Sequence, residues 1–386
     1  MPFALYLLAL AVFVMGTSEF MLAGLLPAIA SELDVSVGTA GLLNSTFAVG
    51  MVVGAPVMAA FARRWPPRIT LTICVLVFAG SHVIGALTPV FSVLLFTRGL
   101  SALGNAGFLA VALGTATTLV PADQKGRALA ILLSGTTVAT VAGVPAGALL
   151  GTLLGWRTTF WTIAILCIPA VFGIIRGIPG DAGRATARAA TTPLRDELLQ
   201  LRTPRLALAM ALGALINGGT FAAFTFFAPV VTETAGLAEG WVSVALVLFG
   251  IGSCLGVTVA GRLSDRRPGV VLAVGGPLLL TGWILLASVA SHPVALFVLV
   301  LIQGFLSFGV GSTVIACVLY AASGAPTMGG SYATAALNAG AAAGPALGAL
   351  GLTTDAGLSA PIWIAAALTA AALLIMWFSR RLLVTT

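Results

Sequence analysis

The sequence predicts an all-α integral membrane protein in which twelve transmembrane helices form two pseudo-symmetric bundles of six. Three observations lead to this prediction: an apolar composition, the spacing of long apolar runs, and a repeat that relates the two halves of the chain. Only 8% of the 386 residues are charged, and 59% are hydrophobic. Soluble domains carry about 25% charged residues. So few charges do not cover a water-exposed globular surface, and we therefore expect the chain to lie in lipid.

Apolar runs long enough to cross a bilayer occur twelve times along the chain. A spanning helix needs about 20 mostly apolar residues, and polar residues, prolines or glycines separate these runs. The weakest separation is the short "SHP" stretch between the ninth and tenth runs. The predicted spans are 4–28, 38–60, 69–88, 91–118, 128–153, 158–178, 206–230, 241–261, 270–290, 294–320, 330–351 and 361–378.

Basic residues collect on one side of the predicted spans. They follow spans 2, 4 and 8, recur in the connection between spans 6 and 7, and stand near the end of the chain. Loops rich in Lys and Arg remain in the cytoplasm, so both termini are predicted to be cytoplasmic. The net charge of +7 is therefore a topology signal, and no nucleic-acid partner is expected.

The two halves of the chain resemble each other at a nearly constant spacing. "FAVGMVVGA" from Phe47 matches "FGIGSCLGV" from Phe249, and "PAGALLG" from Pro145 matches "PALGALG" from Pro345. Ordered matches about 200 residues apart indicate a duplicated unit. The predicted domains are an N-terminal six-helix bundle (1–178), a cytoplasmic linker (179–205) and a C-terminal six-helix bundle (206–386).

Two loops at the predicted cytoplasmic side resemble a motif of the major facilitator superfamily. "GRLSDRRPG" is similar to its G-x-L-x-D-R-x-G loop, which assigns Gly261, Asp265 and Arg266 to a gating motif. In that family, the loop carboxylate helps to latch the cytoplasmic gate against a facing helix N-terminus. The corresponding loop of the first half has Arg63 where the aspartate would stand, so the sequence departs from the family pattern there.

Two further segments resemble motifs of drug:proton antiporters in this superfamily. "RGLSALGNAG" is similar to the R-x-x-Q-G-x-G motif that is associated with proton coupling, with Ser101 in place of its glutamine. "GTTVATVAGVPAG" resembles the antiporter motif, in which Gly143, Pro145 and Gly147 would shape a bend and close packing. "MGTSEFMLAGLLP" and "GSYATAALNAGAAAGP" are similar to segments of bacterial chloramphenicol-resistance exporters.

The resemblance implies a major facilitator fold and a function. It implies a multi-pass protein of the bacterial cytoplasmic membrane that exports small, neutral, lipophilic drugs by alternating access. The proton gradient would supply the energy, and neither an organic cofactor nor a metal is expected. The expected partners are a small-molecule substrate, protons and the lipid bilayer, and the chain is expected to act as a monomer.

Glu19 and Arg98 are the non-histidine ionisable residues deep within the predicted spans. Counting along their helices places them roughly 13 Å and 10 Å from the outer ends of spans 1 and 4, at similar depth. Charged residues inside transporter spans are functional by default, and the protonation of a carboxyl group responds to burial and to a nearby cation. We therefore predict that Glu19 binds the coupling proton and that Arg98 tunes it. The alternative is a purely structural ion pair.

Polar and aromatic residues at helical spacing predict a substrate cavity. Residues three, four or seven apart share one face of a helix, and apolar walls with a few amides suit a small, neutral, partly aromatic ligand. The alternative for each amide is a helix-packing role. His82, in the peripheral third span, is interpreted as a packing residue. The candidate substrate-binding residues are Asn44, Ser101, Asn105, Asn217, Phe221, Phe224, Gln303 and Asn338.

Other classes of function remain open or are disfavoured by the sequence. A proton-coupled importer, and a transporter of sugars, nucleosides or other metabolites, use the same fold, while a channel is disfavoured by the two-half repeat. An intramembrane aspartyl protease needs two aspartates within spans, and the predicted spans contain none. An ATP-driven pump needs a G-x-x-x-x-G-K-[ST] loop, which is absent from the sequence. We therefore predict that the chain is not an enzyme.

Overall fold

The computed structural model describes residues 2–61, 65–121, 124–178, 194–264, 268–325 and 328–379. Within these ranges the chain is helical and contains no strand, which confirms the predicted all-α class. The long helices are α1 (Phe3–Phe20), α2 (Val37–Phe61), α3 (Pro67–Leu87), α4 (Phe91–Thr118), α5 (Lys125–Val138 and Val144–Leu154), α6 (Trp156–Gly177), α7 (Pro204–Thr225), α8 (Gly240–Ser264), α9 (Pro268–Val289), α10 (Pro293–Ala321), α11 (Gly329–Gly351) and α12 (Ala360–Phe378).

Eleven helices of the described chain are long and apolar enough to cross a membrane. α11 is also long, but it consists largely of glycine and alanine, which lowers its hydropathy. A side-chain carbon added at Gly340 or Gly344 would overlap backbone atoms of α7. Small residues let the backbones of membrane helices approach closely, so α11 belongs among the spans because of its packing.

Helix contacts follow the two predicted halves. In the first half, α2 and α3 pack on α4, and α1 packs on α5 and α6. In the second half, α8 and α9 pack on α10, and α7 packs on α12 and on α11. The main contacts between the halves join α2 to α11 and α5 to α8. The domain boundaries at residues 178 and 205, and the orientation of the termini, stay predictions.

Two helices are interrupted at equivalent places in their halves. α1 is followed by a 3₁₀ turn (Met21–Gly24) and a short helix (Leu26–Glu32). α7 is followed by a helical turn at Phe227–Pro229 and a π-helical turn at Val230–Thr234. A proline cannot donate the backbone hydrogen bond that continues a helix, and each continuation contains one. The interruption of α1 begins at Met21, two residues after Glu19.

α5 contains the third interruption, a π-helical turn over Ala139–Gly143. Pro145 follows this turn at the start of the second helical part, and single π-helical turns accommodate such a loss of regular hydrogen bonding. A side chain at Gly143 would overlap the hydroxyl of Thr17, so glycine lets α5 approach α1. Gly147 lies close to Met21 and Thr159. The predicted antiporter-motif residues therefore lie at a bend that touches α1.

A short linker helix, Leu194–Leu199, docks on the beginning of α11. The side chain of Glu197 is fully buried, and its Oε2 accepts a hydrogen bond from the backbone N–H of Met328 at 2.8 Å. The hydroxyl of Tyr332 donates to the backbone oxygen of Glu197 at 2.9 Å. A carboxylate near a helix N-terminus is stabilised by the helix dipole. We call the end of the molecule that carries this helix the linker end, and the opposite end the far end.

Candidate transport site

The far end is closed by contacts between the two halves. The ring of Phe226, after α7, is fully buried and lies against Gly41 of α2 and Gly348 of α11, where a side chain would overlap it. Beside it, the amide of Asn44 donates a hydrogen bond to the hydroxyl of Thr225 at 3.1 Å. Close contact between glycines and a large ring leaves no passage at this place in the far end.

The linker-end half of the molecule contains a cavity of about 460 Å³ between α5 of the first half and α7, α8, α10 and α11 of the second. Leu133, Thr137 and Thr258 line it and are exposed, so the cavity opens to the surface of the protein. The described residues that line it include no charged side chain. Their polar members are Thr136, Thr137, Thr140, Asn217, Thr220, Ser253, Thr258, Ser307 and Ser312.

A cluster of phenylalanines separates the cavity from the closed far end. Phe20, Phe221 and Phe224 come from α1 and α7, with ring centroids 5.7–6.1 Å apart. Phe249 lies 4.9 Å from Phe224 and 5.9 Å from Phe308. Phe308 also lines the cavity, so the cluster forms part of its wall. Aromatic rings at these separations attract each other beyond simple burial.

A buried polar network lies in the first half, where α1, α3 and α4 meet. Arg98 is 1% exposed, and its Nη1 and Nη2 donate hydrogen bonds to the hydroxyl and the backbone oxygen of Ser18, at 2.9 and 3.1 Å. The guanidinium also lies 4.5 Å from the centre of the Phe47 ring, an attractive cation–π contact. Ser18 is in turn bonded to Nε2 of His82 at 2.6 Å.

Glu19 belongs to this region but differs from Arg98 in its exposure. Glu19 is partly exposed, and its carboxyl group interacts with the side chain of Asn105 and with the charge of Arg98. These partners come from α4 in the interior of the first half, so the carboxyl group faces protein rather than lipid tails. Arg98 bonds Ser18, the residue before Glu19, so the two ionisable residues lie in one region of the first half, while their roles stay predictions.

The structure separates the predicted substrate residues into two groups. Asn217 lines the cavity, and its amide donates to the backbone oxygen of Leu337 at 2.7 Å. Phe221 and Phe224 belong to the aromatic cluster beside the cavity.

The remaining predicted substrate residues do not line the cavity in this conformation: Asn44 and Gln303 link helices, Ser101 and Asn338 bond within their own helices, and Asn105 is buried and interacts with Glu19. Asn44 lies in the closed far end, and Ser101 donates to the backbone oxygen of Arg98 within its own helix. Gln303 is fully buried, where its amide donates to the backbone oxygen of Leu279 at 3.2 Å. Asn338 donates to Thr334 on its own helix. None of these five is among the residues that line the described cavity.

Several hydroxyls of α5, α8 and α10 that line the cavity were not predicted. Thr140, Ser253, Thr258 and Ser312 each donate to a backbone oxygen of their own helix. Serine and threonine do this throughout membrane helices, so sequence alone gives no reason to select these residues. His82 was predicted to be a packing residue, and no local signal indicates its bond to Ser18, which is 64 residues away.

The predicted gating motif lies only partly within the described chain. Gly261 is near the end of α8 at the linker end. Asp265 and Arg266, and Arg63 in the corresponding loop of the first half, lie outside the described residues.

The chain belongs to the Major Facilitator Superfamily, whose sequence profile matches residues 8–336. A chloramphenicol resistance protein of Streptomyces lividans is 64% identical over all of this chain and 98% of its own length. The inner membrane transport protein YdhP of Escherichia coli K12 is 31% identical over 98% of this chain and 96% of its own. The family indicates a transporter rather than an enzyme, and a multi-pass protein of the bacterial cytoplasmic membrane.

Solved structures agree with this family assignment at the level of the fold. A bacterial homologue of the human lysosomal transporter Spinster, in an inward-facing and unoccupied conformation, has a TM-score of 0.69 at 17% identity, covering 98% of this chain and 95% of its own. The human organic anion transporter MFSD10 has a TM-score of 0.69 at 16% identity, covering 96% of this chain and 98% of its own. The predicted major facilitator fold is confirmed.

Proposed function

We propose that the protein exports small neutral drugs of the chloramphenicol type in exchange for protons. The observation that carries the proposal is the uncharged, hydroxyl-lined cavity between the two halves, which meets an aromatic cluster containing Phe20, the residue next to Glu19. The chloramphenicol resistance protein that is 64% identical to this chain supports the same substrate class. The protein acts as a monomer, and its energy comes from the proton gradient rather than from a cofactor.

The chemistry of the cavity favours an uncharged ligand with both polar and aromatic parts. Pockets for drug-sized ligands measure about 300–1,000 Å³, and this cavity, at about 460 Å³, lies within that range. A charged ligand would lose its hydration without gaining a counter-ion, which is costly. Amphenicols are neutral, carry hydroxyl and amide groups that match the threonines and serines, and have an aromatic ring that suits Phe308.

Proton coupling follows from the position of Glu19 beside the cavity wall. With the predicted orientation, the closed far end and the open linker end correspond to an inward-facing state. Substrate binding in this state favours release of the Glu19 proton to the cytoplasm, and Arg98 stabilises the carboxylate that remains. After the two halves rock, the substrate leaves and Glu19 takes a proton from outside. The protonated protein then returns.

Drug susceptibility tests the substrate. The protein is expressed in a bacterial strain that lacks its own efflux pumps, and growth is measured in chloramphenicol, a fluorinated amphenicol and a permanently cationic drug. We expect increased tolerance of both amphenicols, and no increase for the cation. A Glu19→Gln variant at equal membrane abundance serves as the control for transport. An unchanged amphenicol tolerance in cells with abundant protein contradicts the substrate assignment.

A second candidate class is favoured by one feature, the number of hydroxyls in the cavity. Such a lining also matches sugars and nucleosides, which are neutral and rich in hydroxyl groups. Substrate counterflow in proteoliposomes, run separately for chloramphenicol, sugars and nucleosides with each compound unlabelled inside and labelled outside, separates the two classes. Uptake of a labelled sugar or nucleoside without uptake of labelled chloramphenicol favours a metabolite transporter.

A further inference from the structure

Ser18 connects two side chains that the sequence does not relate. Its hydroxyl oxygen lies 2.9 Å from Nη1 of Arg98 on α4 and 2.6 Å from Nε2 of His82 on α3. The backbone oxygen of Ser18 accepts a further bond from Nη2 of Arg98 at 3.1 Å. Ser18 is fully buried, and Arg98 and His82 are each 1% exposed. One small residue of α1 is therefore hydrogen bonded to buried side chains of two other helices.

The direction of each hydrogen bond follows from the partners. The backbone oxygen of Phe78 only accepts, so Nδ1 of His82, 2.7 Å away, donates to it. In the neutral ring the other nitrogen, Nε2, is then an acceptor, and it receives the hydroxyl proton of Ser18. The Ser18 oxygen remains free to accept from Arg98. In this series of hydrogen bonds, every donor therefore faces an acceptor.

The imidazole of His82 is enclosed by protein and is not in contact with water. The rings of Phe78 and Phe160 flank the imidazole, with centroids 4.4 and 5.5 Å away. Among the described residues, Arg98 acts on His82 electrostatically, and Glu19 interacts with Arg98 in turn. A neutral histidine that accepts a hydrogen bond fits beside a buried cation, whereas a second cation there would repel it.

Arg98 forms its hydrogen bonds with Ser18 rather than with Glu19, the residue that follows Ser18 in α1. Its Nη1 and Nη2 donate to Ser18, and its Nε is buried without a hydrogen-bond partner. Among the described residues, no hydrogen bond joins Arg98 to the carboxyl group of Glu19, which interacts with the side chain of Asn105. Hydrogen-bonded ion pairs between Arg and a carboxylate are strong, and breaking a buried one is costly. A direct pair of this kind would hold Glu19 in its ionised form.

We propose that Ser18 and His82 are positioning residues for proton coupling, which hold the guanidinium of Arg98 on α1 so that Glu19 gains and loses its proton without a direct ion pair. His82 fixes the Ser18 hydroxyl, and Ser18 fixes Arg98. This inference rests on the proposed proton coupling by Glu19, and it assigns a role to two residues that do not touch the substrate cavity.

The test separates coupling from transport itself. The purified full chain is reconstituted into proteoliposomes, and chloramphenicol movement is measured both against its gradient with an imposed pH difference and as counterflow without one. We expect Ser18→Ala, which removes a hydrogen bond to the charged Arg98, to lower gradient-driven transport by about tenfold. His82→Phe, which leaves the Ser18 hydroxyl without its acceptor, is expected to lower it as well. Counterflow, which needs no net proton movement, is expected to stay within about twofold of the original protein.

Further variants distinguish positioning from packing. His82→Gln keeps an acceptor for Ser18 and is expected to recover part of the coupled transport. The double variant is expected to be no worse than the weaker single variant, because both changes break one linkage. Ser81→Ala is the matched control, since Ser81 is a buried hydroxyl next to His82 that bonds only within α3, to Val77, and it is expected to leave both assays unchanged.

Three results overturn the inference. One is unchanged gradient-driven transport in Ser18→Ala. A second is an equal loss of both activities, which indicates a purely structural role. A third is full additivity of the two single variants. Glu19→Gln is measured in parallel: if it retains gradient-driven transport, proton coupling by Glu19 is itself wrong, whereas loss in Glu19→Gln without loss in Ser18→Ala rejects only the positioning role.

Discussion

The two halves of the molecule share a fold but differ in the chemistry of their interiors. With the offset of about 202 that relates the repeats, Ser18 and Glu19 of α1 correspond to Thr220 and Phe221 of α7. The motif alignment places Gln303 of α10 at the position of Arg98. Thr220 bonds its own helix at Ile216. The first half thus has a carboxyl group, a guanidinium and a hydroxyl that links two helices. At the corresponding positions the second half has a phenyl ring, an amide and a hydroxyl that bonds within its own helix.

This difference bears on the alternative that Glu19 and Arg98 are a structural pair. In the second half, one neutral amide suffices to connect neighbouring helices, because Gln303 of α10 reaches the backbone of α9 at Leu279. Gly282 provides the space for it, since a side chain there would overlap Gln303. Buried charges cost more than buried amides. The second half folds without buried charges at these positions. The charges of Glu19 and Arg98 in the first half therefore favour a functional role.

The largest expected effect comes from removing the acid of the first half. Glu19→Gln keeps the shape of the side chain but cannot release a proton. Positioned side chains contribute about 100-fold or more to proton transfer, so gradient-driven transport is expected to fall by about that factor, to passive leak. Counterflow of chloramphenicol is expected to continue. Gradient-driven transport that survives in this variant contradicts the division of labour between the halves.

Making the first half resemble the second is expected to have the next largest effect. Arg98→Gln keeps one donor for Ser18 but removes the charge, and we expect gradient-driven transport to fall at least about tenfold. The matched variant is Gln303→Leu, which is expected to cost about 1 kcal/mol of stability and to leave coupling intact. Equal loss of coupling in both variants, measured in the same proteoliposomes, means that the halves are not specialised.

The aromatic side of the comparison predicts a smaller effect, on binding rather than coupling. Phe308 lines the cavity and contacts Phe249 of the cluster. An aromatic contact contributes about 0.5–1.5 kcal/mol, so Phe308→Ala is expected to raise the KM for chloramphenicol by roughly 2- to 10-fold, with Vmax little changed. Phe297→Ala is the control, because Phe297 lies on the same helix and stacks on Trp241 instead.

The same contrast explains how much the sequence reveals. Apolar runs and glycine-rich repeats predict the twelve helices, because helix length and lipid exposure are local properties. Glu19 and Arg98 are visible because charges inside spans are rare. Ser18 and His82 are not, because their meeting depends on the packing of three helices rather than on any local pattern.

Asn44 and Gln303 show a second limit of sequence reasoning. Both are predicted in the substrate cavity because amides inside spans supply hydrogen-bond donors and acceptors to a ligand. In the structure Asn44 bridges the halves at Thr225, and Gln303 bonds the neighbouring α9. A helix in a bundle presents several faces to protein, and periodicity does not say which of these borders the cavity.

The smallest predicted effect concerns the beginnings of α5 and α11, which correspond in the repeat. Glu197 of the linker binds the backbone N–H of Met328 at the start of α11, whereas α5 begins with the exposed Lys125. Glu197→Gln keeps an accepting oxygen but loses its charge near the helix dipole, which is worth about 0.3–1 kcal/mol. We therefore expect a slightly lower thermal stability in detergent and unchanged gradient-driven transport.

Two variants sharpen this last prediction. Asp196→Asn removes an exposed charge from the same short helix and is expected to leave stability unchanged. Glu197→Leu removes the acceptor as well, leaves the Met328 N–H without this partner, and is expected to cost about 1–3 kcal/mol. Equal stability of all three variants indicates that the linker does not support α11. A loss of coupling in Glu197→Gln contradicts the expectation of unchanged transport. It would mean that the linker takes part in coupling as well as supporting α11.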